Sequence, residues 1–538
     1  MPTIPGFNPE ARSPGGIVIR IRSLTGILTA GILAATLVAL IVSTPRGSSP
    51  TLAAAPTPEI ADSSITVIYP AMTNTAKPTD PGVSITSPLG TGPLRTDGGN
   101  IVDANGSVVH LTGVNWFGLE TGTFAPQGLW ARSLNDMLDQ IVQAGFNTIR
   151  LPYSDQLFDA SSIPNGIDFQ KNGDLQGLTG LQIMDQVIQR AGERNLKVIL
   201  DRHRPTATAQ SELWYTEHVS EQRWIDDWVM LAGRYRGNQT VIGADLHNEP
   251  HGPATWGDGN PQTDWRAAAQ RAGNAVLQTN PDWLIIVEGI EHQGNDWYWW
   301  GGNLSMAGDL PVELSVPNKL VYEAHDYGPG VASQKWFQAT DFPQNLSSIW
   351  YSHWAYLKLS GIAPVLIGEF GGRSVGDDRE GLWQRSLVTY LQLNGFDYTY
   401  WCWNPNSGDT GGVLQDDWTT LNQAKLSVLQ AYQWPLLGLP ESAAAAQAIV
   451  NAYQPPTLTA PAAPAAPVAA PPGVAPIGTY AIGGPFDPDS AHALLGTGGP
   501  NDPDPAHRQA RQADEQRYLE QTGAPWPRAV YVTTAPHP

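Results

Sequence analysis

Between about residues 111 and 432, short apolar runs alternate with stretches of helical periodicity. The runs Leu111–Asn115, Thr148–Leu151, Lys197–Asp201 and Val241–Leu246, then Leu284–Glu288, Leu320–Ala324, Pro364–Gly368 and Phe396–Trp401, are short and continuous, which predicts buried strands. Between them, Leu134–Ala144, Leu181–Arg194, Trp224–Tyr235, Trp265–Thr279, Trp383–Leu393 and Leu421–Tyr432 carry the helical repeat. In the second of these, Leu181, Met184, Val187, Ile188 and Ala191 share one face. Strands interleaved with helices over roughly 340 residues predict an α/β fold, a (β/α)8 TIM barrel. The span Asn295–Asn318 has no helical pattern, so one crossover is expected to be irregular.

The pattern changes outside this region. Arg20 and Arg22 precede an apolar run from Leu24 to about Val42, which with its flank (24–43) is about long enough to cross a bilayer. Ala53-Ala54-Ala55 offers a cleavage site, so a signal peptide and a retained anchor both stay open over residues 1–55. Either one places the remainder outside the cytoplasm, secreted or held at the outer face of the membrane. Residues 56–93, rich in Pro, Thr, Ser and Ala, are expected to be a disordered linker. The barrel is expected over 94–440, with a small hairpin around Ile101-Val102 ahead of it, and a Pro/Ala-rich disordered tail over 441–538.

Composition narrows the partners. Of 538 residues, 41% are apolar and only 15% charged, and 30 Lys+Arg against 50 Asp+Glu leave a net charge of −20. That sign argues against nucleic acid or an anionic membrane surface as partner and suits a neutral polymer such as a polysaccharide. Twenty tryptophans provide flat faces for sugar rings beyond what a core requires. The lone Cys402 excludes an intramolecular disulfide and a thiolate zinc cluster, and its apolar flanks predict a buried filler. His247 and His251 are four apart, but Pro250 and Gly252 argue against a helix turn there. No metal and no cofactor is expected, and a monomer suffices.

In such a barrel the carboxyl ends of the strands converge on one face. Read in order they supply Asn115-Trp116, Arg150 with Tyr153, Asp201-Arg202-His203-Arg204, Asn248-Glu249, Glu288, His325 with Tyr327, Glu369, and Trp401 with Trp403. Glu249 and Glu369 share a design, an apolar strand followed by Glu, and two such carboxyls suggest glycoside hydrolysis. Glu288 is the rival carboxylate and reads as structural or substrate-contacting; Asp245, inside its strand, reads as a buried partner.

Asn248-Glu249-Pro250 and Gly368-Glu369-Phe370 resemble glycoside hydrolase family 5. Asp201-Arg202-His203-Arg204-Pro205, Leu246-His247-Asn248-Glu249-Pro250-His251 and Trp403-Asn404-Pro405-Asn406-Ser407-Gly408-Asp409-Thr410-Gly411-Gly412 are similar to its bacterial endo-β-1,4-glucanases, from about Gly113 to Tyr432. The resemblance implies that Glu249 is the general acid/base and Glu369 the nucleophile. It implies further that Asn248 binds the sugar 2-hydroxyl, that Arg150 lies near the nucleophile, and that His203, His325 and Tyr327 line the reactive subsite. Trp403 would be the platform under the sugar, with Trp116 and Trp214 as flanking platforms.

The chemistry needs one carboxyl with a raised pKa to protonate the glycosidic oxygen and one ionised to attack. A retaining mechanism then expects the two carboxyls about 5–5.5 Å apart. The alternatives are a β-mannanase or other β-glycan hydrolase with the same carboxylate pair, and a catalytically dead carbohydrate-binding barrel at the cell surface.

Overall fold

The computed structural model describes residues 88–452, 481–483 and 528–530. A hairpin of β1 (Arg95–Asp97) and β2 (Asn100–Val102) precedes the barrel. Its strands are β3 (Thr112–Asn115), β4 (Thr148–Ser154), β5 (Lys197–Arg204), β6 (Val241–Asp245) and β7 (Leu284–Glu288). After a small antiparallel pair, β8 (His292–Gln293) with β9 (Asp296–Trp297), come β10 (Leu320–His325), β11 (Val365–Glu369) and β12 (Asp397–Tyr400). The eight long-range strands pair in parallel and close through β12 on β3, in the register Tyr398↔Thr112. Nearly every strand residue is buried, because one face meets the barrel interior and the other the helices. That is why the strands read as continuous apolar runs and not as alternation.

The helices form where the periodicity places them, and side chains cap them. They are α1 (Leu134–Gln143), α2 (Gly180–Glu193), α3 (Glu221–Arg234) and α4 (Trp265–Thr279). Thr179 and Gln182 close a reciprocal capping box on α2, satisfying N–H groups that the first turn would otherwise leave free. Between β7 and β10 no helix forms, as the sequence predicts. Between β10 and β11 the sequence reading misses a helical stretch: α5 (Leu346–Trp350), a π turn at Tyr351–Ala355, and α6 (Tyr356–Leu359). The π turn interrupts the regular helical repeat, so the buried positions fall out of phase with it. Next are α7 (Arg379–Asn394) and α8 (Gln423–Gln430).

The boundaries differ from those expected. A last helix, α9 (Ser442–Ala452), buries Ala443 and Ala446 in the same apolar cluster as Leu89, Leu94, Ile101 and Leu437 and the inward-facing Ile199, Leu284 and Leu366. Ser442 Oγ accepts from the Leu89 N–H at 2.8 Å. The folded unit therefore runs from 88 to 452, not 94 to 440, because both flanks help cover the amino-terminal mouth of the barrel. In the tail, β13 (Ala481–Gly483) pairs antiparallel with β14 (Arg528–Val530). The apolar run 24–43 and the Pro/Ala tract lie outside the described residues. Among the described residues no helix is long and apolar enough to cross a membrane.

Candidate active site

β4 delivers Arg150 into the barrel mouth, where its guanidinium is fully buried. Nη1 donates to Glu369 Oε1 at 2.7 Å and to Asn115 Oδ1 at 3.0 Å. Nη2 donates to Asn248 Oδ1 at 3.0 Å and Glu288 Oε1 at 3.2 Å, and Nε to Asp245 Oδ2 at 2.8 Å. Asp201 and Glu323 pair with it at 2.9 and 3.3 Å. One cation thus ties together carboxylates from five strands. Burial would strip its proton, but the charges of Asp201, Asp245, Glu323 and Glu369 outweigh burial and push its pKa up. Burial first, and then the nearby negative charge of Glu323, pushes the Asp245 carboxyl well above the usual range; burial, with the charges of Asp245 and Glu323, raises Glu288.

Glu249 leaves the end of β6 with a φ of 52°, a left-handed conformation uncommon for a residue with a side chain. Glu288 holds it there, its Oε2 accepting the Glu249 N–H at 2.8 Å. The Glu249 carboxylate accepts from His325 Nδ1 at 3.0 Å and from Gln210 Nε2 at 2.6 Å. Glu369, at the end of β11, accepts from the Tyr327 hydroxyl at 2.6 Å. One oxygen of Glu249, one of Glu369 and a ring nitrogen of His325 all lie within 4.8 Å of one another. Two glutamates far apart in sequence therefore face each other.

The expectation of a raised pKa on Glu249 does not match this site. Burial does push it up, but the hydrogen bond and charge of His325, helped by Gln210, outweigh burial and hold the carboxyl below its ordinary value. For His325, burial would lower the pKa. The charges of Glu288 and Glu369 and the bonds to Glu249 and Glu323 overcome that and raise it well above normal. Burial, then the charge of Glu369, raises the Tyr327 hydroxyl far enough that it stays a donor.

Asn248 has its Nδ2 buried with no protein partner among the described residues, next to Glu249. His203 Nδ1 meets Asp201 Oδ2 at 2.7 Å. The groupings Asp201–His203–Glu369, Glu249–His325–Glu369 and Glu288–Glu323–His325 are compact enough to hold an ion. Their ligand atoms already bond to one another or to Arg150, as the distances above record.

A cleft of about 540 Å3 opens over the two glutamates, lined also by His203, Gln210, Tyr327, Trp299, Trp300 and Trp401. The tryptophan platforms named from the sequence need correction. Trp403, Trp116 and Trp214 are all fully buried, so no ring face of theirs can meet a sugar. Trp116 Nε1 donates to the Gln127 carbonyl, and Trp214 Nε1 to Glu221, while Trp214 packs on Trp224 and Trp265. Of the two tryptophans that follow β12, the one at the cleft is Trp401, parallel to His203 at 5.4 Å and stacked on Phe117 at 5.6 Å. Gln210, Glu323 and Trp300 are absent from the sequence reading. Glu323 had a signal, a charge inside a buried strand, which must be paired; Gln210 lies in a loop without periodicity and had none.

A model of the cellulase family (glycosyl hydrolase family 5) matches residues 102–407. The chain belongs to glycosyl hydrolase family 5. This family 5 chain is 57% identical over 359 residues to an endoglucanase of Paenibacillus polymyxa, a match covering 66% of this chain and 90% of that one. It is 46% identical to the major extracellular endoglucanase of Xanthomonas campestris pv. campestris, across 61% of this chain and 69% of the relative. A hyperthermophilic endocellulase from the archaeon Pyrococcus horikoshii superposes with a TM-score of 0.60 at 45% identity, covering 63% of this chain and 98% of that one. That endocellulase has also been solved with cellotetraose.

Proposed function

We propose that this chain is a retaining endo-β-1,4-glucanase that cleaves cellulose or a related β-glucan through a covalent glycosyl-enzyme. The observation that carries the reading is the spacing of the carboxyls: oxygens of Glu249 and Glu369 within 4.8 Å of each other leave no room for a water between sugar and carboxylate, as an inverting enzyme requires. Glu369, oriented by Arg150 and Tyr327, attacks the anomeric carbon. Glu249 with His325 protonates the departing oxygen, the pair carrying one proton in the gap between them. Once Glu369 is esterified its charge is gone, and the pair has given its proton to the departing sugar, so Glu249 is left ionised beside a neutral His325, poised as base to take a proton from the incoming water. Asn248 Nδ2 supplies a buried donor for a sugar hydroxyl, and Trp401 stacks under the ring on the Glu369 side. No cofactor or metal takes part in this scheme.

We infer as well that the chain is exported, which the name of the extracellular Xanthomonas endoglucanase supports, that the apolar run 24–43 serves as a cleaved signal or an anchor, and that the barrel acts as a monomer. Hydrolysis of carboxymethyl-cellulose with little action on galactomannan, and a β-configured first product by NMR, are the expected results. An α-configured first product would overturn retention, and preference for galactomannan would move the assignment to β-mannanase. Glu369→Gln is expected to lose activity yet still bind cello-oligosaccharide.

A further inference from the structure

On the Glu249 side of the cleft, two exposed tryptophans are each backed by an imidazole. Trp300, 44% exposed, lies face to face with His251, ring centroids 3.8 Å apart and planes 7° from parallel. Trp297, 53% exposed, stacks on His292 with centroids 4.2 Å apart. Glu291 and Gly252 join the two stacks. Glu291 Oε1 accepts from Trp300 Nε1 at 3.0 Å, its Oε2 accepts from the Gly252 N–H at 2.9 Å, and the Gly252 carbonyl meets His292 Nε2 at 3.2 Å. The unit is tied to Glu249 itself, whose carbonyl bonds His251 Nδ1 at 2.6 Å. Trp300 and Glu291 line the cleft, whereas Trp297, on β9, is not among its lining residues.

A tryptophan more than half exposed forgoes the stabilisation that burial would give it. Its position is nonetheless fixed. Asp296, its neighbour on β9, is anchored by Asn303 Nδ2 at 3.1 Å and His353 Nε2 at 3.3 Å, and His292 covers one face of the ring. What remains is a flat apolar face turned to solvent, linked through His292, Gly252 and Glu291 to Trp300 at the cleft. Pyranose C–H faces pack on such a surface. An acid gives its proton to the oxygen of the departing sugar, so the departing chain runs on past Glu249. The backbone leads the same way, through His251 and Gly252, to these rings.

We infer that Trp297, backed by His292, binds the leaving-group end of a β-glucan chain, beyond the sugar that stacks at Trp300. The inference rests on the glycosidase reading. In the full chain, Trp297→Ala and Trp297→Phe are compared with the unchanged protein on p-nitrophenyl β-cellobioside, whose leaving group is too short to reach Trp297, and on cellohexaose. For Trp297→Ala, kcat/KM should stay within about twofold on the aryl substrate and fall roughly 3- to 10-fold on cellohexaose, mostly through KM, with partial recovery in Trp297→Phe. An unaltered value on cellohexaose, or an equal loss on both substrates, would overturn the site. An unchanged protein inert toward both substrates would overturn the glycosidase reading and this site with it, an outcome distinct from a failure confined to Trp297→Ala.

Discussion

At the scale of single residues, the site turns on how protons are distributed among buried charges. His325 donates to Glu249 at 3.0 Å and lowers the pKa of that carboxyl, while the carboxylates around His325 keep it cationic. In the proposed mechanism catalysis requires Glu249 protonated, so activity should fall as pH rises through its effective pKa. A neutral side chain in place of the imidazolium removes the lowering influence. In His325→Gln the alkaline limb of the kcat/KM–pH profile should therefore move to higher pH, with kcat reduced; a limb that stays put or moves down would refute the pairing. Glu249→Gln removes the proposed proton donor and should cost about 10²- to 10⁴-fold in kcat while leaving the melting temperature close to that of the parent. Because Glu249 is coupled to His325, azide rescue of Glu249→Ala on an activated aryl glycoside would further separate lost acid/base function from lost structure.

At the scale of elements, the geometry depends on how strands end. Glu249 adopts its left-handed turn because Glu288, one strand over on β7, captures its N–H, and the turn sits against Gly301. Gly301 itself has a φ of 65°, and a Cβ there would collide with Glu288 Oε2 and lie 3.2 Å from the Glu249 Cα. Gly301→Ala is expected to destabilise the fold by about 2 kcal/mol or more and to cut kcat out of proportion to its effect on melting. Circular dichroism melts beside steady-state kinetics would show it, and a variant of normal stability and activity would mean that the turn adapts. The missed α5–α6 stretch and the misplaced platform belong to this scale too. Periodicity cannot follow a π turn, and strand parity stops where the chain leaves β12 at Tyr400, so which of Trp401 and Trp403 faces the cleft is not written in their spacing.

At the scale of the molecule, both flanks help close the barrel. A chain ending after residue 452 should keep its activity and its melting temperature. One ending at 440 loses the Ser442–Leu89 bond and uncovers the apolar cluster beneath Ala443 and Ala446, a cost of about 2 kcal/mol. Its melting temperature should drop by a few degrees with kcat little changed, because α9 lies at the mouth opposite the glutamates. Equal melting of the two truncations would show that α9 only rests on the barrel.

The eight buried strands, most of the helices and the irregular crossover were legible in the order of the residues, because burial on both faces leaves a mark on composition that needs no third dimension. So were Arg150, Asn248, Glu249 and Glu369, since strand ends must converge in a closed barrel and charged groups there need partners. The tertiary structure alone decided which ring lies open to a sugar, that Gln210 reaches Glu249, that His325 lowers the pKa of Glu249, and that α9 belongs to the core. Each of these depends on distances between segments remote in the chain, and exposure and pKa are properties of surroundings, not of the residue that carries them.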